Sequence, residues 1–146
     1  MNLNKRIVLS LAGVALLGLT AAGASAQTIA KATFTLPIPA YWNSTLLQPG
    51  DYALSMERTP SGVELLRLRG EDLAVAFIVP AGGEETTGHS CLKLDSVNGT
   101  NVVRELDASQ IGKSYQFAVS KTVRELTMRG AVTQPISVPL SAASGF

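Results

Sequence analysis

Between residues 31 and 69 apolar and polar side chains alternate with a period of two, which is the signature of half-buried strands. Ala32, Phe34 and Leu36 fall on one face of Lys31–Leu36, with Lys31, Thr33 and Thr35 on the other. Tyr52, Leu54 and Met56 stand against Ala53, Ser55 and Glu57 in the next segment, and Leu66 and Leu68 against Arg67 and Arg69 in the one after, Val63–Arg69. The run Leu73–Val79, LAVAFIV, has no polar side at all. It predicts a central strand covered on both faces, in the middle of the core. Cys91–Val97 and Thr100–Leu106 predict two more strands, and Tyr115, Phe117 and Val119 one face of another. Residues 121–129, KTVRELTMR, are ambiguous between a strand and a short helix, and their threonines and valine favour the strand. Ile136–Leu140 reads as a short edge strand bracketed by Pro135 and Pro139.

The punctuation between these segments agrees with short antiparallel strands. Pro37 and Pro39 lack backbone donors and should end the first strand. Gln48-Pro49-Gly50-Asp51 fits a type II turn, with glycine at the position that needs positive φ. Thr59–Gly62 and Gly70–Asp72 are further turns, and Asp107–Gly112 reads as a short helical turn. Asn98-Gly99 is the clearest hairpin signal, because both residues tolerate the positive φ of a two-residue turn. Pro80–His89, polar and glycine-rich, predicts an exposed loop. About eight or nine short strands at this spacing, with no sustained helical period, predict an all-β fold, an antiparallel β-sandwich.

The first 26 residues stand apart. Lys5 and Arg6 open an uncharged apolar run from Ile7 to Thr20, and Ala24-Ser25-Ala26 has the A-x-A form of a cleavage site. This is the three-part pattern of a cleaved secretory signal, and the run is shorter than the roughly 20 residues needed to span a bilayer. The expectation is an exported protein, periplasmic or extracellular, with residues 27–146 as a single β-sandwich domain and no membrane span after signal removal. Lys5 and Arg6 account for two of the twelve lysines and arginines, leaving ten against eleven aspartates and glutamates. So balanced a chain lacks the basic surface that nucleic acid requires. Cys91 is the only cysteine, so no intrachain disulfide can form and the core must supply the stability.

Gly88-His89-Ser90-Cys91 starts like a nucleophile elbow but continues with Leu92 where glycine belongs, and its histidine is the only one in the chain. A serine nucleophile needs a histidine from elsewhere to take its proton, so the motif fails. Asp107–Ser114, DASQIGKS, ends like a phosphate-binding loop, yet Asp107 replaces the first glycine and a strand pattern follows where a helix should. Glu84, Glu85 and His89 are suitable metal donors without a second histidine, and read as a solvated acidic loop. No cofactor, metal or catalytic set is predicted. Tyr41 and Trp42 are the candidate ligand-contact residues: loop aromatics can stack on a sugar or anchor a partner, or Trp42 can cap one end of the sandwich. Asn43-Ser44-Thr45 and Asn98-Gly99-Thr100 match the glycosylation sequon. The terminal Phe146 is a feature of outer-membrane barrels, but Ser141–Gly145 lacks their alternating apolar face.

The N-terminal third of residues 27–146 resembles a group of small exported bacterial all-β proteins of unassigned function. The resemblance rests on Phe34-Thr35-Leu36-Pro37 (F-x-L-P), on Trp42, and on Leu47-Gln48-Pro49-Gly50-Asp51-Tyr52 (L-x-x-G-x-Y). It implies an exported β domain and brings no catalytic residues with it.

Taken together, these patterns lead to the expectation of a non-enzymatic exported β-sandwich serving as a structural, self-assembling or binding module. Homo-oligomerisation through edge strands is one expected partnership. The alternative is a carbohydrate-binding module that meets a glycan with Tyr41 and Trp42, with Tyr115 as a further contact. An enzyme would need carboxylates brought together by folding, such as Glu57 and Glu64, in a cleft.

Overall fold

A computed structural model describes residues 26–80, 83–128 and 132–143. The expected signal, residues 1–26, lies outside them except for Ala26, as do Arg129 and Phe146. The chain has an all-β, sandwich-like fold of two sheets. In order, the strands are β1 (Gln27–Leu36), β2 (Ala40–Trp42), β3 (Thr45–Leu47), β4 (Gly50–Arg58), β5 (Glu64–Arg69), β6 (Ala74–Ile78), β7 (Glu84–Glu85), β8 (Cys91–Val97), β9 (Thr100–Ala108), β10 (Lys113–Gln116), β11 (Val132–Pro139) and β12 (Ser141–Ala142). A 3-10 turn covers Ser109–Ile111, and one helix, α1, covers Lys121–Thr127.

The first sheet runs β12-β1-β4-β5-β6, and the second runs β11-β8-β9-β10-β7. The β2–β3 hairpin joins the second sheet where Tyr41 of β2 pairs parallel to Val102 of β9. After β10, the N–H of Phe117 still reaches the carbonyl of Arg104 at 2.8 Å. The chain then leaves, and β2 takes over the exposed flank of β9. At Leu140 the chain crosses from β11 in one sheet to β12 in the other, tying that side of the sandwich together.

The alternating segments bury the faces that the pattern assigns. Ala32, Phe34, Leu36, Tyr52, Leu54, Met56, Leu66 and Leu68 line the inner face of the first sheet, and Leu92, Leu94, Val103, Leu106 and Tyr115 that of the second. Register keeps them there: Phe34 pairs with Tyr52, Leu54 with Leu68, and Met56 with Leu66. Phe34 and Tyr52 also stack, with ring centroids 5.4 Å apart. Asn98 and Gly99, at φ 55° and 80°, form the expected two-residue hairpin, with Val97 opposite Thr100.

Three expectations are corrected. Residues 121–127 are helical rather than extended, because Ser120 caps the segment: its side chain accepts a hydrogen bond from the N–H of Val123 at 3.3 Å. This cap satisfies a donor that the first helical turn would otherwise leave unpaired, and Val123 is buried behind it. The Pro49-Gly50 turn is not type II; Gly50 has φ 152°, far from the roughly +80° of that turn, and is already paired with Leu36. Most consequentially, Leu73–Val79 is not the centre of the core. Its strand, β6, is the edge of the first sheet, and the central places belong to β4 and β9. A uniformly apolar run carries no record of which face is covered, and here the outward positions are Ala74, Ala76 and Ile78, all exposed.

Candidate functional site

Tyr41 and Trp42 lie in a strand, β2, and not in a loop. Adjacent residues of a strand point to opposite faces, and only Trp42 turns into the core, where it is 0% exposed. Its ring stacks on Phe77 of β6 at 5.6 Å and meets Phe117 edge-on at 5.3 Å. The indole N–H has no hydrogen-bond partner among the described residues. Tyr41 is half-buried and stands opposite Leu46 and Val102. The structure thus separates the two candidate contacts: Trp42 has no surface to offer a ligand, and its role is to hold β6 against the second sheet.

The carboxylates that would be needed for glycoside hydrolysis are also kept apart. Arg58 is opposite Glu64 and Glu57 opposite Leu65, so Glu57 and Glu64 project from opposite faces of the β4–β5 hairpin. Glu57 accepts from Arg67 Nε at 2.8 Å on the outer face. Glu64 is a brace between the sheets: it accepts from Arg58 Nη2 at 2.6 Å and from the Tyr115 hydroxyl of β10 at 3.0 Å. The bond from Arg58 holds the Glu64 carboxyl below its ordinary value, against the opposing effect of burial. Burial, reinforced by Glu64, pushes Tyr115 up to about 12.

On the solvent side of the second sheet, Cys91 and Lys93 of β8 face Asp107 and Glu105 of β9, with Ser114 of β10 beyond. Lys93 Nζ lies 2.9 Å from Glu105 and 3.0 Å from Asp107. Ser114 donates to Glu105 at 2.8 Å, and the Cys91 thiol to Asp107 at 3.7 Å. Hydrogen bonds to Glu105 and Asp107 raise the Lys93 ammonium well above its ordinary value. Burial works against ionisation of Asp107, but hydrogen bonding, with Lys93 at 3.0 Å, outweighs it and lowers its pKa. Lys93 is thus committed to ion pairs with both carboxylates of β9. This ladder cross-links three strands.

The remaining motifs also resolve into framework. Ser90 accepts the N–H of Ser109 at 3.0 Å and shares a 2.6 Å hydroxyl contact with it, pinning the 3-10 turn, while His89 is exposed. In the DASQIGKS segment, Gly112 takes a left-handed conformation after the 3-10 turn and leads straight into β10. Glu84 and Glu85 form the short strand β7 beside Ser114 and Lys113. Among the described residues no three His, Cys, Asp or Glu side chains are grouped to hold a metal.

What stays open, among the described residues, is the edge of β6. The N–H of Val79 donates to the Glu64 carbonyl at 2.9 Å, and that of Gly70 to Leu73 at 2.8 Å. With these bonds fixing the ends, the odd-numbered residues of β6 turn their backbone groups toward β5. Ala74, Ala76 and Ile78 therefore aim their N–H and C=O groups away from the sheet. Ile78 is 71% exposed. The strand carries no charge, proline or bulge, the usual devices that protect an edge. Behind it, Phe77 on Trp42 and the buried Val79 hold the backbone in place. The outer face of this sheet carries an open trough of about 640 Å³ in which Ala53, Ser55, Ala74 and Ala76 lie among the longer side chains of Lys31, Glu57, Arg67 and Arg69. No signal in the sequence distinguished this edge from a buried strand.

Comparison with known proteins found no matching family model, no matching curated protein and no matching solved structure.

Proposed function

We propose that this protein is a non-enzymatic, exported structural or binding module that works by strand addition at the open edge of β6. The observation that carries the reading is the unprotected edge: an uncharged strand, rigidly backed by Trp42, with the backbone groups of Ala74, Ala76 and Ile78 directed outward. Unpaired edges are templates for another chain, and main-chain pairing needs no specialised side chains. Export is supported by the signal pattern of residues 1–26 and by the resemblance of the Phe34–Tyr52 region to exported β proteins. A non-catalytic role is supported by the separation of Glu57 from Glu64 and by the locked state of Lys93. The glycan reading through Tyr41 and Trp42 loses its principal contact to the core.

The test is size exclusion with light scattering on residues 27–146, from micromolar to millimolar concentration, beside the variant Ala76→Pro. Proline at this position removes only an outward N–H and leaves the β5–β6 ladder intact. Association by the parent and loss of association by the variant are expected. A parent that stays monomeric throughout, with the Ala74, Ala76 and Ile78 amides exchanging freely at every concentration, would remove the assembly version of the proposal.

A further inference from the structure

We infer that the occupant of this edge is the β6 of a second copy of the chain, paired antiparallel about a two-fold axis at Ala76. The inference rests on the strand-addition reading and adds the partner and the register. Three features of β6 select its own copy.

The first is parity. Ala76 is the middle of the three residues whose backbone groups face outward, so an axis through it sets Ala76 opposite Ala76 of the copy. Ala74 then faces Ile78 of the copy on both sides. All outward groups are used, giving about six inter-chain hydrogen bonds. Moving the register by one residue would bring inward-facing groups to the seam, and moving it by two would leave an outward residue unpaired at each end.

The second is size. In this register the small Ala74 stands beside the large Ile78 on the outer face, and Val75 is opposite Phe77 on the inner face. The outer face brings no two bulky side chains together, and on the inner face a β-branched residue meets an aromatic one, a favourable cross-strand pair. The exposed Ile78 gains cover from the neighbouring chain.

The third is charge. Self-pairing sets every residue near its own copy, so a charged edge would repel itself. The strand has no charge, and the nearest cation to the axis is Arg67, which is opposite Ala76 on β5. Across the seam, Arg67 and its copy are three strand spacings apart, about 14 Å. That exceeds the screening length of about 8 Å at physiological salt. Arg67 is in addition bonded to Glu57.

Such pairing joins the two first sheets into one continuous, isologous sheet. A five-residue seam buries less than the roughly 1,000 Å² of a stable interface, so the dimer is expected to be concentration-dependent and not obligate.

Charge exchange at the axis tests partner and register together. Ala76→Lys sets two lysines opposite each other and should weaken self-association by at least about tenfold, as should Ala76→Glu, since like charges directly opposite destabilise a strand pair. Ala76 is exposed, so both variants should fold, and a circular dichroism spectrum unchanged from the parent confirms it; because Arg67 lies opposite on β5, Ala76→Lys should lower the urea midpoint slightly and Ala76→Glu should not. Mixing the two variants in equal amounts should restore dimerisation as a heterodimer, resolved by native mass spectrometry. Dimerisation of the parent with no rescue in the mixture would overturn the register while leaving strand addition standing. A parent whose association is untouched by Ala76→Lys, Ala76→Glu and Ala76→Pro would overturn the strand-addition reading as well.

Discussion

Replacing Trp42 with alanine probes the contact on which the open edge depends. The side chain is 0% exposed and bridges the sheets through Phe77 and Phe117. A buried tryptophan removes about 150–250 Å² from water. At roughly 25 cal/mol per Å² this is worth about 4–6 kcal/mol, and measured truncations of buried aromatics cost about 3–5 kcal/mol. Among the described residues the indole N–H has no partner to lose, so the lower part of the range, about 3–4 kcal/mol, applies. Against a total stability of about 5–15 kcal/mol, that loss brings the fold close to its threshold. Because Trp42 is the only tryptophan, its own fluorescence cannot follow the variant, and the assay is urea unfolding monitored by far-ultraviolet circular dichroism. Trp42→Phe should lose less than Trp42→Ala, since it keeps the aromatic stack and removes the unpaired donor. A Trp42→Ala protein within about 1 kcal/mol of the parent would refute the burial and the bridging role together.

Other expectations follow from the polar braces and the cap. The folded pKa of Tyr115 is raised, so its contribution is fully present below about pH 10 and should be lost as pH rises through about 12. Tyr115→Phe should flatten that alkaline limb in a pH series of urea midpoints. Glu64 and Asp107 have lowered pKa values, so their contributions are present above the ordinary carboxylate range and are lost as pH falls through the depressed values. Glu64→Gln should reduce the acid-side loss seen by circular dichroism. Lys93→Met leaves Asp107 and Glu105 unneutralised on one face and should lower stability by about 1 kcal/mol, a small figure because Lys93 is partly exposed. Ser120→Ala removes the cap of α1 and should cost about 1 kcal/mol, with amide exchange rising first in residues 121–127.

Local sequence determined the parts of this molecule that depend on neighbours along the chain. Period-two alternation assigned the inward faces of β1, β4 and β5, because side chains of a strand point to opposite sides whatever lies beyond them. Asn98-Gly99 specified its own hairpin through the conformations those two residues tolerate. Where two local signals competed, the quieter one decided: Ser120 made residues 121–127 a helix despite the threonines and valine that favour a strand. Strands β2, β3, β7 and β12 are two or three residues long, too short to leave a period. The candidate site was scarcely legible at all. Trp42 could be singled out as the lone tryptophan, but whether it faced a ligand or the core depended on Phe77 and Phe117, 35 and 75 residues away in the chain. Leu73–Val79 shows the same limit most clearly. Its composition required burial of some face, and Phe77 and Val79 do bury one, yet sheet order is set by the pairing of distant strands. Only tertiary structure left the backbone of Ala74, Ala76 and Ile78 without a neighbouring strand among the described residues, and that open place at the sheet's edge is where the proposed function lies.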